Sequence, residues 1–416
     1  LTLDDSLAEL ALLAETAGLL VAGQISQRLN KPNPKTLIGS GKIQEIEALM
    51  HEFKAEVLLF DDELHPRHQR ELEKILGDDV RIIDRTALIM DIFAQHSSTH
   101  EGSLQVELAQ YEYRLPRLTR AWTHLARQAG GGGGRSGAGG VGLRGPGEKQ
   151  LESDRRDINK RIDYLKRELE KVRAHRGRHR AKRKKSRIPI IALVGYTNAG
   201  KSTLLNQVSG ADIYAADKLF ATLDPTTRRV ELPGGTNALI TDTVGFIQKL
   251  PTTLVAAFRA TLEEISEADL LLHVIDITHP NAKEQAIAVL DTLENIKSNH
   301  IPILTILNKI DRLGSSAREL GKLQDFPDAL SISAKTGEGL EEFLPAVHKK
   351  LYEAYEQLSI LLPFQAGRLI ALFHDQGQVE YTEHTKEGVI IEGRLPGRLK
   401  AQYHQYKIEA VVERVQ

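Results

Sequence analysis

The residues best suited to chemistry lie in one short segment near the middle of the chain. It follows an apolar run at 188–194 that is typical of a buried strand, and it precedes a helical pattern. A GxxxxGK[ST] loop between a strand and a helix turns backbone N–H groups toward phosphates. We therefore predict a nucleoside-phosphate site, in which Lys201 bridges two phosphates and the Ser202 hydroxyl ligates Mg²⁺. The residues of this loop are Gly195, Tyr196, Thr197, Asn198, Ala199, Gly200, Lys201, Ser202 and Thr203.

A second motif follows about 40 residues later, after the strand-like run 238–240. Asp242 would hold Mg²⁺ through water, and the Gly245 N–H would sense the terminal phosphate, with Thr243 and Val244 between them. The next residue is Phe246, where many nucleotide hydrolases with such a loop place a glutamine that orients the attacking water. Because an apolar ring cannot orient water, we predict slow intrinsic hydrolysis that a bound partner accelerates.

A third motif selects the base. The strand-like run 303–307 ends in Asn308, Lys309, Ile310 and Asp311. The Asp311 carboxylate can accept hydrogen bonds from both N1–H and the 2-amino group of guanine, whereas adenine would leave it unpaired, at a cost of a few kcal/mol. Asn308 can bond the other edge of the base, and the Lys309 stem can cover the ring. A fourth motif, in which the Ala334 N–H would donate to guanine O6, consists of Ser333, Ala334 and Lys335.

A switch segment is expected between the phosphate loop and Asp242. Thr222 is the best candidate for a second hydroxyl on Mg²⁺, and Thr226 and Thr227 are the alternatives. Lys201, Thr222 and Gly245 are thus the residues expected to act on the transferred phosphoryl group. The remaining candidates for nucleotide contact in this segment are Phe220, Ala221, Leu223 and Asp224.

The elements that position these motifs indicate a multidomain α/β protein. At residues 1–100 we predict an N-terminal α/β domain with a strand near 19–21, helices over 43–53 and 66–76, and strands at 55–60 and 80–83. A G domain with a doubly wound, mainly parallel sheet is predicted at 188–352, and a small α+β domain of pattern β-α-β-β-α at 353–416.

Residues 101–187 predict a long antiparallel helical hairpin. Leucine-rich heptad seams span 104–125, where Pro116 should cause a kink, and 151–172. Between them, 130–147 contains 11 glycines, which predicts a tip that becomes ordered on a polyanion. Residues 114–187 carry 23 Lys and Arg against 7 Asp and Glu, although the whole chain has a net charge of −1. The expected RNA or ribosome contacts are Arg135, Arg144, Lys182, Arg183, Lys184 and Lys185.

Composition excludes several classes of protein. The chain has 416 residues and no cysteine, so disulfides, thiol nucleophiles and cysteine metal sites are excluded. No apolar run reaches the length of a membrane span, and the first residues carry acids where an export signal would carry positive charge. We therefore expect a cytoplasmic protein without a transmembrane segment, and a monomer.

At this point the chain resembles the HflX family of translational GTPases. The resemblance rests on the phosphate loop at 195–202, the switch at 220–228, the Asp242 motif with Phe246, the segment 147–155 and the Gly-rich tip, and it covers nearly the whole chain. It implies Mg²⁺-dependent hydrolysis of GTP to GDP, Thr222 as the Mg²⁺ threonine, and 220–224 as a GTP-contacting switch. It also implies binding to the large ribosomal subunit and its RNA, with dissociation of stalled or idle ribosomes under stress and GTPase stimulation by the ribosome.

Two other interpretations of the same residues remain open. In one, a G-domain switch uses its basic arm to bind other RNA or an anionic membrane. In the other, a non-catalytic RNA-binding module keeps its nucleotide site for structure only. The intact Lys201, Ser202, Asp242 and Asp311 argue against the second. Cosedimentation with ribosomes against liposomes separates the first from the leading interpretation.

Overall fold

The computed structural model describes most of the chain, and its residues group into two compact units. Unit 1 comprises Leu1–Ala174, Ala216–Asp224 and Ile247–Thr261, and unit 2 comprises His175–Ala215, Pro225–Phe246 and Leu262–Gln416. The described ranges are 2–77, 79–118, 146–185, 188–210, 219–220, 224–233, 235–249, 259–314, 323–353 and 355–408.

Unit 1 begins with alternating helices and strands. In chain order these are α1 (Leu3–Thr16), α2 (Ser40–Phe53), β1 (Val57–Phe60), α3 (Pro66–Leu76), β2 (Arg81–Asp84) and α4 (Arg85–His96). β1 and β2 pair in parallel, as the alternation predicted. Ile43, Leu64, Leu72 and Ile82 pack into one buried cluster beside this two-stranded sheet.

The prediction of a strand at 19–21 is wrong. Helix α1 ends at Thr16, and residues 19–21 have no regular structure. Leu20 is 97% exposed. An apolar segment this short forms a strand only beside a hydrogen-bonded neighbouring strand and under a covering layer, and among the described residues this segment has neither. The apolar residues just before it, Leu10, Leu13 and Ala14, are buried in α1.

Two further helices carry the predicted heptad seams. α5 spans His100–Arg114 and α6 spans Pro146–Lys185. Leu104 of α5 clusters with Leu165 and Leu169 of α6, so the two seams cover each other. Ion pairs border this seam, from Arg161 to Glu107 and from Lys166 to Glu112.

The first seam does not continue through Pro116 as a kinked helix. α5 ends at Arg114, and residues 115–117 form a turn. Proline cannot donate a helical hydrogen bond and its ring collides with the preceding turn, which explains the stop. The rest of the seam, 119–125, and the Gly-rich tip up to residue 145 lie outside the described residues, so the hairpin itself remains a prediction.

Unit 2 contains the sheet that positions the motifs. Its six strands run in the order β4-β5-β3-β6-β7-β8, and only the β4–β5 pair is antiparallel. The predicted mainly parallel sheet is therefore confirmed. The strands are β3 (Ile190–Gly195), β4 (Thr226–Leu232), β5 (Thr236–Asp242), β6 (Leu270–Asp276), β7 (Ile303–Asn308) and β8 (Leu330–Ser331).

Helices accompany this sheet along the chain. They are α7 (Lys201–Ser209), α8 (Arg259–Ser266, whose first residues group with unit 1), α9 (Ala282–Asn295) and α10 (Leu340–Glu353). Leu193, Leu204, Ile306 and Phe343 belong to the fully buried core between sheet and helices. The apolar runs that predicted buried strands therefore lie in the centre of the unit.

The C-terminal part of unit 2 has its own sheet. Strands β9 (Tyr355–Leu362), β10 (Gln378–His384) and β11 (Val389–Pro396) pair antiparallel in the order β10-β11-β9, with α11 (Gly367–Gln376) between β9 and β10. The last predicted helix is present as a 3₁₀ helix, Gly397–Tyr406, rather than an α-helix. Tyr403 fixes it, because its ring is buried and its hydroxyl donates to Leu369 O at 2.9 Å.

Candidate functional site

The phosphate loop joins the end of β3 to the start of α7. Gly195 has φ +156° and Gly200 has φ +94°, which are backbone conformations that favour glycine. A Cβ on Gly195 would collide with the backbone of Val274, and a Cβ on Gly200 would collide with the Asn308 side chain. The loop can therefore lie this close to β6 and β7 only because both positions lack a side chain. Its exit at the N-terminus of α7 is a favourable position for an anion.

Lys201 lies at the centre of this loop. Its ammonium group donates to Tyr196 O at 2.9 Å and to Gly195 O at 3.3 Å, and the side chain is buried. Burial lowers the pKa of Lys201 to about 8, and the Asp242 carboxylate acts weakly in the opposite direction. An anionic phosphate beside this ammonium group would stabilise its charged form.

The second motif contacts the loop directly. Asp242 ends β5, and its carboxylate accepts a hydrogen bond from the Ser202 hydroxyl at 2.6 Å. Phe246 N donates to Gly195 O at 3.0 Å, and Phe246 O accepts from Thr197 N at 2.8 Å. The backbone after Gly245 is thus attached to the phosphate loop, and the Phe246 ring is buried.

The residues present fit a magnesium site of the kind found in nucleotide hydrolases. Ser202 and Asp242 place two hard oxygen ligands together, and Mg²⁺ in such sites takes few protein ligands and completes its shell with phosphates and water. No cluster of three or more His, Asp or Glu with metal-site geometry occurs among the described residues. Thr222, the other predicted ligand, lies outside them, as do Ala221 and Leu223.

Asn308 links the third motif to the phosphate loop. It ends β7 with a buried side chain, whose amide nitrogen donates to Ala199 O at 2.8 Å. Its carbonyl oxygen accepts from Ala334 N at 2.9 Å. One side chain therefore ties together three loops that are far apart in sequence. The Ala334 N–H, which the sequence assigned to guanine O6, is engaged by Asn308 here, so O6 would have to share or replace that bond.

The two charged residues of this motif are each held by a neighbour. Lys309, at φ +67°, pairs with Asp276 at 2.8 Å. Asp311 accepts from the Ser333 hydroxyl at 2.6 Å, which orients the carboxylate that was predicted to read guanine. Sequence reasoning missed Asp276. Its signal was available, because Asp276 ends β6 in register with Asn308 at the end of β7.

The switch segment contacts α4 and the two residues that precede α5, all within unit 1. Phe220 is buried with φ +56°, and its ring lies edge-on to Phe93 with the centroids 4.6 Å apart. The Asp224 carboxylate accepts from Ser98 N and Ser98 Oγ at 2.9 Å, from Thr99 N at 2.8 Å, and from the Thr99 hydroxyl. No sequence pattern indicated that Ser98 and Thr99 would hold this segment.

The predicted site residues thus fall into three sets. Those at the carboxyl ends of the parallel strands of unit 2 lie in adjoining loops, namely 195–203, 242–245, 308–311 and 333–335. Phe220 and Asp224 group with unit 1. Of the predicted RNA contacts, Lys182, Arg183, Lys184 and Lys185 belong to the last turns of α6, whereas Arg135 and Arg144 lie outside the described residues.

No helix among the described residues combines the length and apolarity needed to cross a bilayer. Family models match three consecutive parts of the chain. Residues 4–94 match the N-terminal region of GTP-binding GTPases, 96–183 match their middle region, and 190–309 match a model described as 50S ribosome-binding GTPase.

Whole-length relatives agree with these matches. The GTPase HflX of Escherichia coli K12 is 43% identical over 394 residues, covering 94% of this chain and 90% of the relative. That of Caldanaerobacter subterraneus is 42% identical over 405 residues, covering 97% and 91%. Among solved structures, a GTP-binding protein of Sulfolobus solfataricus in complex with GDP is 26% identical, covering 83% of this chain and 95% of that one with a TM-score of 0.43. With its three matched regions and relatives of this identity along nearly its full length, the chain belongs to the HflX family of GTPases, which hydrolyse GTP to GDP.

Proposed function

We propose that Mg²⁺ and GTP bind where the phosphate loop, the Asp242 motif and the Asn308 motif adjoin. The observation that carries this proposal is Asn308, whose two hydrogen bonds tie the phosphate loop to both loops that would read guanine. Asp311, oriented by Ser333, accepts from the guanine N1–H and 2-amino group. Lys201 bridges the β- and γ-phosphates after exchanging its present carbonyl partners for phosphate oxygens.

In the reaction, water attacks the γ-phosphorus and the bond to the β–γ bridging oxygen breaks, giving GDP and phosphate. Lys201 and the Gly245 N–H stabilise the charge on the transferred group. The metal would be held by Ser202 and Thr222, with Asp242 acting through water, and it supplies charge neutralisation at the phosphates. The buried Phe246 offers no polar group to the attacking water, so intrinsic hydrolysis is slow and a partner completes the site.

Nucleotide selectivity provides a direct test of the base assignment. Calorimetry should give the parent protein much tighter binding of GTP than of ATP. Asp311→Ala should remove most of this difference by weakening GTP and leaving ATP unchanged, because only guanine uses the carboxylate. A matched control is Asp325→Ala, an exposed acid paired with Lys283 outside this motif. Equal binding of ATP and GTP by the parent protein would refute the assignment.

For the partner, we propose the large ribosomal subunit and its RNA, leading to dissociation of stalled or idle ribosomes under stress. Three observations support it: the match of 190–309 to a 50S ribosome-binding model, the dense positive charge ending α6, and the Gly-rich segment before that helix. Residues 171–187 carry ten Lys and Arg and no acid. Such density is suited to phosphate contacts, which make binding strongly salt-dependent.

Other RNA is the main alternative partner, and anionic membrane fits less well. Membrane-surface helices need an exposed apolar face. In α6 the apolar residues Ile162, Leu165 and Leu169 are buried, the latter two against α5. The face that a bilayer would need is therefore already covered over this part of the helix.

The test compares GTP turnover with and without purified large subunits, small subunits, and anionic vesicles. We expect strong stimulation by large subunits only, and loss of most of it when 130–147 is replaced by a short neutral turn. Lys184→Gln with Lys185→Gln should weaken binding and lower its salt dependence. The matched control is Lys160→Gln with Lys166→Gln, two exposed lysines on the same helix outside 171–187, which pair with Asp157 and Glu112. Stimulation by vesicles or unrelated RNA to the same extent would overturn the ribosome assignment.

A further inference from the structure

The phosphate loop contains a hydroxyl that neither the proposed mechanism nor the fold uses. Thr197 is the third residue of the loop and is 7% exposed. Its backbone N–H donates to Phe246 O at 2.8 Å, but its side-chain Oγ1 has no hydrogen-bond partner among the described residues. Buried hydroxyl groups are nearly always hydrogen-bonded, because burial without a partner destabilises the fold. An unpaired hydroxyl inside a binding loop therefore points to a partner that the described residues do not supply.

The position of Thr197 shows which part of a ligand it faces. A Cβ built on Gly245 would lie 2.7 Å from Thr197 Cα, 2.8 Å from its Cγ2 and 3.1 Å from Lys201 Nζ. Thr197, Gly245 and Lys201 therefore meet at one point. At the other end of the loop, Gly200 contacts Asn308, which belongs to the motif that would read the base. Thr197 therefore lies on the side of the loop where the Gly245 backbone and the Lys201 ammonium group come together.

We propose that the Thr197 hydroxyl donates a hydrogen bond to the terminal phosphoryl group of GTP, and so makes this site distinguish the triphosphate from the diphosphate. The inference rests on the nucleotide assignment above, since it places the γ-phosphate beside Lys201 and Gly245. It adds a side-chain donor to the backbone N–H of Gly245. This donor stands beside Phe246, which contributes only an apolar ring. Hydrogen bonds to charged acceptors are among the stronger ones, so the loss of this one should be measurable.

Two variants separate the hydroxyl from the shape of the side chain. Thr197→Val keeps the branched shape and removes the hydroxyl, whereas Thr197→Ser keeps the hydroxyl. In titrations with GDP and a non-hydrolysable GTP analogue, Thr197→Val should weaken the analogue about tenfold and leave GDP within about twofold. Thr197→Ser should match the parent for both. The turnover number of Thr197→Val with saturating GTP should also fall, since the hydrogen bond strengthens as charge develops on the transferred group.

A stability measurement gives a signature that a structural hydroxyl would not. For protein freed of nucleotide, Thr197→Val should be as stable as the parent or more stable, because it replaces an unpaired buried hydroxyl by a methyl group. With the GTP analogue present, the parent should gain more stability than the variant. Clear destabilisation of nucleotide-free Thr197→Val, or an equal loss of GDP and analogue binding, would overturn the inference. If the parent bound neither nucleotide, the nucleotide assignment itself would fail.

Discussion

Replacing Asn308 by alanine should lower the free energy of unfolding of unit 2 by more than the lost packing of its side chain would. The substitution leaves Ala199 O and Ala334 N–H without their partner, and both residues are buried, at 1% and 2% exposure. An unpaired buried polar backbone group costs about 1–3 kcal/mol. Water entering the vacated space will reduce that, so we expect a loss of about 2–4 kcal/mol for the pair.

The measurement is thermal unfolding of unit 2, together with the dissociation constant for GDP. For a domain of this size, a loss of that magnitude lowers the melting temperature by roughly 5–15 °C. Asn308→Asp should be nearly as harmful, because it keeps an acceptor for Ala334 N–H but directs a negative charge at Ala199 O. Asn237→Ala is the control, since Asn237 lies on β5 of the same sheet and its bond to Arg229 is exposed. A melting temperature for Asn308→Ala within about 2 °C of the control, corresponding to about 0.5 kcal/mol, would refute the reasoning.

Three further predictions concern buried ionisable side chains. The pKa of Lys201 is lowered to about 8, and bound phosphate requires the charged form of this side chain. The affinity for GDP should therefore be constant below about pH 8 and fall above it in titrations from pH 7 to 9.5. A Lys201→Arg variant, which stays charged over this range, should lack the pH dependence. Burial, with a smaller contribution from the Lys201 charge, lowers the pKa of His273 to about 4 from an ordinary 6.5, so the folded state binds fewer protons than the unfolded state between these values. Stability should therefore fall as pH falls from about 6.5 to 4, by up to about 3 kcal/mol, and His273→Leu should flatten that part of the unfolding free energy measured against pH. Changing Arg85, which is 2% exposed, to Met should lower the free energy of unfolding by about 3 kcal/mol, because Glu9 and Asp61 each lose an ion pair, although Asp61 keeps its pair with Lys249 at 2.6 Å. Chemical unfolding should show no comparable effect for Arg81→Met, an exposed position on β2.

The parts of the site that the sequence predicted are those in which chemistry restricts residue type. A loop that wraps phosphates needs glycine at fixed positions, and Gly195 and Gly200 do lie where a Cβ would collide with a neighbour. The order of the strands did not have to be known, because parallel strands bring their carboxyl ends to one edge of the sheet. Apolar runs ahead of Asp242 and Asn308 were therefore enough to predict that these residues lie in adjoining loops.

The contacts that the sequence did not predict join residues that have no shared pattern. Asp224 lies 125 positions from Thr99, and a serine and a threonine before a helix more often cap that helix only. Thr99 does cap α5, because its hydroxyl oxygen accepts from Gly102 N, and the same hydroxyl also donates to Asp224. Such pairings depend on how distant elements pack, which residue spacing cannot give.

Near the N-terminus, the sequence pattern for a helix cap was overlooked, and a short apolar run was wrongly interpreted as a strand. Thr2 and Asp5 form a reciprocal cap at the start of α1, a pattern visible in the sequence that would have predicted the helix. Apolar residues at 19–21 suggested a strand instead, although a run this short cannot form one without a partner. In that region a strand was inferred from composition alone, whereas the capping residues had a defined geometric meaning.

The four hydrogen bonds around Asp224 also make two backbone amides into a natural reporter. The N–H groups of Ser98 and Thr99 are each bonded to this carboxylate, at 2.9 and 2.8 Å. Amide hydrogens exchange with deuterated solvent only when such a bond opens. The exchange rate of these two amides therefore measures how often Asp224 of the switch segment leaves the two residues that precede α5, without any label being attached to the segment itself.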